Sequence, residues 1–93
     1  MPSTPDYLEF VLDLLRYVPN IQYKKMMGEY LLYQGSALFG GIYDNRFLVK
    51  DVPALAEYGF RKQIPYPTAK PMLLIDIEDP RMIQEILEKF FRG

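Results

Sequence analysis

The sequence predicts an α+β fold in which helices cover an antiparallel sheet. Apolar residues recur at helical spacing near both ends of the chain. Between them lies a run of β-branched and aromatic residues interrupted by glycines, and short turn signals separate its segments. The chain has 93 residues, so we predict one domain over residues 1–93.

The first helix is predicted near residues 5–18. Ser3 or Thr4 is the predicted N-cap, and Pro5 stands where the first helical turn tolerates proline. Apolar residues then recur at helical spacing, and Pro19-Asn20 ends the helix.

The glycine-marked middle of the chain predicts three consecutive strands. Residues 21–33 form one long or broken strand with a bulge at Gly28, because a glycine inside a strand commonly marks one. Gln34-Gly35 forms a turn, and residues 37–43 form the second strand. Asp44-Asn45 then makes a two-residue hairpin to the third strand, since both residue types tolerate the positive φ required there.

The second half of the chain predicts a short helix, two strands and a last helix. Pro53 begins the short helix, and Gly59 follows its end. A strand weakened by Pro65 comes next, and the apolar strand MLLIDI follows it. Asp79-Pro80 caps the last helix. Its buried face is predicted to carry Met82, Ile83, Ile86, Leu87 and Phe90.

Absent residue types exclude several classes of chemistry. The chain has no His and no Cys, which removes Cys/His and Ser-His-Asp catalysis, the usual zinc sites and redox chemistry of paired cysteines. There is no uninterrupted apolar run long enough to span a membrane, and the N-terminus lacks the features of a signal peptide. We therefore expect a cytoplasmic protein that is not an enzyme and uses no cofactor or metal.

A family resemblance adds a functional expectation. Four features carry it: a basic residue before Met26-Met27-Gly28, then Leu32-Tyr33, a glycine-marked turn, and Phe47-Leu48-Val49-Lys50 after the hairpin. With these features in this order, the chain resembles the N-terminal domain of the TfoX (Sxy) family of bacterial competence regulators over nearly its whole length. The resemblance implies a secretion-chaperone-like fold in α-β(3)-α-β(2)-α order, and a role in regulating genes of DNA uptake. Full-length regulators carry a second domain, so we expect a stand-alone N-terminal-type domain here.

The glycines between Lys24 and Lys50 do not form a phosphate-binding loop. Gly35 and Gly40 have the spacing of such a loop, but Gly41-Ile42 stands where Lys-Ser/Thr is required, and a strand follows. We interpret Gly40-Gly41 instead as a place where another backbone or an aromatic ring approaches closely.

Two charged clusters receive structural interpretations. Asp76, Glu78 and Asp79 could hold Mg²⁺ or Ca²⁺, but we interpret Asp79 as a helix cap and the other two as its solvated neighbours. Residues 21–70 contain seven basic and four acidic residues, with tyrosines interspersed. The whole chain has a net charge of −1, so we predict no direct binding of nucleic acid and assign lysines to sheet edges.

The first helix supplies the candidate interaction surface. Its apolar arc is wider than the ~100° that one sheet requires, and Phe10, Leu14 and Tyr17 lie at or next to its margin. They either contact a protein partner or a second copy, or are covered by residues 65–71. Two functions remain open: a non-enzymatic interaction or regulatory module, and a small-ligand binder or enzyme using Lys, Tyr and carboxylate groups. Convergence of Lys24, Lys25, Tyr or Arg46 side chains in a pocket would favour the second.

Overall fold

The computed structural model describes residues 2–92 and shows an α+β fold with a six-stranded antiparallel sheet. This confirms the predicted class and sheet type. The strands lie in the order β1-β2-β3-β4-β6-β5. The elements are α1 (Pro5–Leu14), β1 (Ile21–Met26), β2 (Glu29–Gln34), β3 (Ala37–Ile42), β4 (Phe47–Lys50), a 3₁₀ helix (Pro53–Tyr58), β5 (Lys62–Gln63), β6 (Met72–Leu74) and α2 (Pro80–Arg92).

The sheet has six strands rather than five because residues 21–33 form a hairpin. Met26 pairs with Glu29, which leaves Met27 and Gly28 as a two-residue turn. Both turn residues have positive φ, 52° and 83°, as the tight hairpin requires. The prediction of a bulge at Gly28 is therefore wrong. The irregular register of this region lies between β2 and β3 instead.

The second predicted hairpin is confirmed. Asp44 and Asn45 have φ of 51° and 55°. The residues on either side, Tyr43 and Arg46, exchange backbone hydrogen bonds of 2.9 and 3.0 Å. Between β2 and β3 the turn comprises residues 35–36, one position later than predicted.

Helix α1 begins as predicted but ends earlier. Thr4 is the N-cap, and its Oγ1 accepts a hydrogen bond from the Tyr7 N–H at 3.2 Å. The helix ends at Leu14 rather than near residue 18, because the following turns tighten into hydrogen bonds between residues three apart. One of these runs from the N–H of Val18 to the carbonyl of Leu15. Tyr17 therefore lies in a turn beyond the helix.

Helix α2 is capped by Asp79 as predicted. The Arg81 N–H donates to Asp79 Oδ1 at 3.0 Å, and the Ile83 N–H donates to the Asp79 carbonyl at 2.9 Å. Of the predicted buried face, Ile83, Ile86 and Leu87 are buried and Phe90 packs against the core. Met82 is wrongly placed in that prediction, since it is 40% exposed.

One hydrophobic core lies between the helices and one face of the sheet. It joins both α-helices and the 3₁₀ helix to alternate residues of the strands. Its fully enclosed members include Val11, Leu32, Phe39, Ile42, Phe47, Val49, Ile83 and Ile86. No helix within residues 2–92 is long and apolar enough to cross a membrane.

Candidate functional site

The face of the sheet opposite the core is partly covered by residues 64–71. Leu48 is fully buried although it is not part of the core cluster, and it pairs with Gly41 and Leu74. Since side chains alternate between the faces of a strand, these positions belong to the second face. Pro65 and Tyr66 of the covering segment line cavities together with residues of β3 and its end.

Arg46 holds the covering segment in place. Its Nη1 donates to Gln63 Oε1 at 2.8 Å, and its two terminal nitrogens lie 3.4 Å from the carbonyl oxygens of Ile64 and Pro65. Its Nε donates to the carbonyl of Tyr43 at 3.2 Å. Arg46 therefore binds backbone and does not project into a pocket as a free cation.

Tyr43 lies over a glycine and contacts the covering segment. A Cβ on Gly41 would lie 2.7 Å from both Tyr43 Cε2 and the Tyr30 carbonyl oxygen. The ring centres of Tyr43 and Tyr66 are 6.3 Å apart. Burial, followed by the neighbouring Tyr66 and Glu29, raises the pKa of Tyr43 above that of a free phenol. The phenol therefore remains neutral at physiological pH.

The interpretation of Gly40-Gly41 as a point of close approach is confirmed. A Cβ on Gly40 would overlap the carbonyl oxygen of Leu48 and approach Val49 Cα at 2.9 Å. The neighbouring strand β4 thus comes too close for any side chain at this position. Gly41 admits an aromatic ring in the same way on the other face.

An apolar groove lies between the β1–β2 turn and residue Tyr66. We call it the sheet-face groove, and its volume is about 560 Å³. Among the described residues, Glu29 is the one charged residue that lines it, and its carboxylate already accepts hydrogen bonds from Ser3 and from the Asp44 N–H at 2.8 to 3.0 Å. The lining consists of Met26, Met27, Glu29, Leu31, Leu38, Tyr43, Pro65 and Tyr66.

A second cavity continues the groove on the other side of Tyr66. It has a volume of about 570 Å³ and shares Leu38, Tyr43, Pro65 and Tyr66 with the sheet-face groove. Its far end is lined by Lys50, Asp51, Lys70 and Met72 among others. The open face thus changes from apolar at the β1–β2 turn to mixed charge beyond Tyr66.

Met27 projects from the rim of the sheet-face groove. Its side chain is 96% exposed, and its φ of 52° is unfavourable for a residue with a long side chain. Turns of this kind usually contain Asn, Asp or Gly. A large apolar side chain is therefore exposed at a position where the backbone conformation favours Asn, Asp or Gly.

The predicted interaction surface is divided in the structure. Phe10 and Tyr17 are 41% and 39% exposed, but Leu14 between them is 6% exposed and belongs to the core. Phe10 contacts Tyr7, with ring centres 5.7 Å apart. Tyr17 lies against Arg81, whose guanidinium carbon is 3.8 Å from the ring centre. Phe10 and Tyr17 also line different cavities.

The other charged residues are distributed over the surface. Lys24 and Lys25 lie on β1 at the sheet edge, where lysines were predicted. Lys62 pairs with Asp51 at 3.1 Å. Among residues 2–92, no group of three or more acidic residues is placed to hold a metal ion.

Sequence reasoning missed the sheet-face groove. The turn at Met27-Gly28 carries no turn signal at Met27, so the hairpin that forms one wall was read as a single strand. The opposite wall, Pro65 and Tyr66, comes from a distant segment that Arg46 positions through long-range hydrogen bonds. The adjacent pair of methionines was the available signal, because methionine is common at adaptable binding surfaces.

Comparison with curated proteins assigns this chain to a family. No family model matches the sequence, and no solved structure matches it. The chain is 32% identical over 91 residues to the uncharacterized 12.7 kDa protein in the trpE 5′ region of Spirochaeta aurantia. The match covers 94% of this chain and 79% of the relative. The chain therefore belongs to the same family as this uncharacterized spirochaete protein.

Proposed function

We propose that the protein is a non-enzymatic interaction module that binds a protein partner in the sheet-face groove. The observation that carries this proposal is the pair Met26 and Met27 at the rim of an apolar groove, one of them almost fully exposed. Contiguous apolar patches of more than a few hundred Å² on a monomeric protein usually mark an interaction site.

The chemistry of the groove indicates an apolar occupant. The carboxylate of Glu29 is engaged by Ser3 and by the Asp44 N–H, so it does not require a cationic ligand. The remaining lining side chains are aliphatic, aromatic or thioether, and methionines adapt to irregular shapes. We propose that a segment of the partner inserts one or two large apolar side chains beside Tyr66.

We further propose that the module is of the TfoX N-terminal type and acts in the cytoplasm of a bacterium. In support, the element order resembles the order implied by that resemblance, with the β1–β2 hairpin in place of one long strand. In this proposal the protein takes part in regulating competence or transcription through its partner, without contacting nucleic acid itself.

The raised pKa values of Lys89 and Tyr43 do not favour a role for either group as a base. The hydrogen bond that Lys89 Nζ donates to Glu57 Oε1, followed by its interaction with Tyr58, raises the pKa of the Lys89 amine. A lysine that serves as a base or nucleophile requires a lowered pKa. The raised pKa of Tyr43 likewise keeps that phenol protonated, so it does not act as a base.

Site-specific photo-crosslinking in the native host tests the proposal. A benzophenone amino acid at Met27 should crosslink to a discrete protein, whereas the same group at the exposed Glu9 on α1 should not. Leu38→Glu places a charge inside the groove and should abolish the crosslink while the protein stays folded in a thermal melt. Equal crosslinking from both positions, or crosslinking that survives Leu38→Glu, would refute the groove as the binding site.

A further inference from the structure

Strand β1 forms an open edge of the sheet. Within residues 2–92 it pairs with β2 alone, and five of its six residues are exposed. Its register with β2 is continuous from Ile21 to Met26, so no bulge turns the edge away. The opposite edge, β5, has two residues and is followed by Pro65 and Pro67. β1 is therefore the edge that can accept another strand.

The hydrogen-bond phase of the hairpin shows which backbone groups are free. In a two-residue hairpin the residues flanking the turn, here Met26 and Glu29, form a hydrogen-bonded pair, and such pairs alternate along the strands. The Gly35 N–H donates to the Asn20 carbonyl at 2.7 Å, so Asn20 and Gly35 are also a hydrogen-bonded pair. Asn20 lies six residues before Met26, an even number, which agrees with the alternation of hydrogen-bonded pairs.

In β1, the backbone N–H and carbonyl groups therefore point alternately toward β2 and toward the open edge. Gln22, Lys24 and Met26 direct their backbone groups toward β2. The N–H and carbonyl groups of Ile21, Tyr23 and Lys25 point to the open edge. These three residues offer donors and acceptors at the spacing that an added strand requires.

The charges on β1 indicate which strand fits. Lys24 and Lys25 project to opposite faces, and their partners on β2 are Leu31 and Tyr30, neither of which is acidic. Neither lysine takes part in an ion pair with any residue between 2 and 92. Antiparallel pairing of two copies through this edge would bring like charges together, which disfavours self-association.

We infer that the β1 edge binds an extended acidic segment of another protein as a seventh strand. One carboxylate on each face of that segment would lie beside Lys24 and Lys25, while the backbone bonds to Ile21, Tyr23 and Lys25. This inference does not rest on the sheet-face groove, because the edge backbone is a separate surface.

A designed peptide tests the inference directly. The probe is a fluorescein-labelled ten-residue peptide of threonine and valine with two adjacent glutamates at its centre, and its control carries two lysines instead. We expect the acidic peptide to bind the full chain with Kd below about 1 mM, and the lysine peptide to bind about tenfold more weakly or worse. Equal binding of the two peptides, or no binding of the acidic one, overturns the inference.

A proline substitution separates strand pairing from simple charge attraction. Tyr23→Pro removes an N–H that the fold does not use, whereas Tyr23→Thr changes the side chain and keeps that N–H. Binding of the acidic peptide should fall about tenfold or more in Tyr23→Pro relative to Tyr23→Thr. If the two variants bind alike while both fold, the peptide is not pairing with β1.

Charge reversal and hydrogen exchange test the inference without the Tyr23→Pro substitution. In the double variant Lys24→Glu and Lys25→Glu, the preference should switch to the lysine peptide. By NMR, the amides of Tyr23 and Lys25 should exchange quickly in the free protein and slowly with the acidic peptide bound, whereas those of Gln22 and Lys24 should be protected throughout. An unchanged preference, or edge amides that stay unprotected, contradicts the inference.

Discussion

Arg46 Nη1 lies 2.8 Å from Oε1 of Gln63, so β5 is tied to the β3–β4 hairpin although β6 separates β4 from β5 in the sheet. The same guanidinium contacts the carbonyls of Ile64 and Pro65. One side chain thereby determines where residues 64–71 cross the open face. The position of Tyr66, and with it one wall of the sheet-face groove, depends on this contact.

Replacing Arg46 by alanine should therefore loosen residues 64–71. The loss of charge-assisted hydrogen bonds should lower the free energy of unfolding by about 1.5–3 kcal/mol. Arg61→Ala is the matched control, because that exposed side chain makes no hydrogen bond or ion pair among residues 2–92. Urea denaturation measures the stability change, and hydrogen exchange should accelerate in residues 64–71 of Arg46→Ala alone. Similar effects of both substitutions would contradict this assignment.

Gly40→Ala should cost more stability than Gly35→Ala. At Gly40 the new methyl group meets the backbone of β4, which cannot move without disturbing the sheet, so a loss of about 1–3 kcal/mol or more is expected. At Gly35 there is open space, and the cost arises from a φ of 60°, about 1–2 kcal/mol. Thermal denaturation of the two variants measures the order, and the reverse order would contradict the close approach of β4.

These glycines show what the sequence could predict. A pair of glycines inside a β-rich run indicates close packing, and the structure confirms it. Asp44-Asn45 likewise has the residue types of a tight hairpin. At Met27-Gly28 the same geometry is formed by a residue type that the turn disfavours, so local chemistry pointed to a bulge. A two-residue turn shifts the alternation of side chains by one position, as a bulge does, so the apolar pattern alone does not separate the two.

The arrangement of the candidate surface on α1 could not be predicted from sequence for a different reason. Projection on an ideal helix aligned Phe10 with Tyr17, but the helix ends at Leu14 and the next turn redirects Tyr17 toward Arg81. Tertiary contacts of this kind involve residues far apart in the chain. Periodicity alone therefore identified the exposed aromatic residues without giving their true arrangement.

Replacing Phe10 and Tyr17 by serine should leave the protein folded. Phe10→Ser removes a contact with Tyr7, and Tyr17→Ser removes a cation–π contact with Arg81 worth about 0.5–1 kcal/mol. Each cost should stay well below the about 3–5 kcal/mol of a core aromatic residue. Thermal melts measure this, with Phe39→Ala as the core control. Sedimentation of the double variant tests the predicted interaction surface. If that surface mediates self-association of the wild type, the double variant should sediment as a monomer.

Stability should decline at alkaline pH partly because of Tyr7 and Tyr43. Burial is the main cause that raises the pKa of both phenols in the folded state. A raised pKa stabilises the fold fully below the ordinary tyrosine value of about 10, and this contribution is lost as pH rises through the folded-state value. Tyr43→Phe has no proton to lose, so its unfolding free energy should fall less steeply above pH ~10 than that of the wild type. Parallel curves would show that Tyr43 is not a source of the effect.

Met27→Asn should stabilise the protein and weaken partner binding at the same time. Asn-Gly is the preferred pair for a two-residue hairpin turn, and Asn tolerates the φ of 52° better than Met does, so a gain of about 0.5–1 kcal/mol is expected. The substitution also removes a 96% exposed apolar side chain from the rim of the sheet-face groove, so it should reduce recovery of the partner that the crosslinking experiment identifies.

Met26→Thr is the matched control, because it removes a rim methionine at a regular strand position and offers no relief of turn strain. Urea denaturation and co-purification of the identified partner measure the two effects. A stabilised Met27→Asn variant that recovers the partner at the wild-type level would show that Met27 does not serve binding.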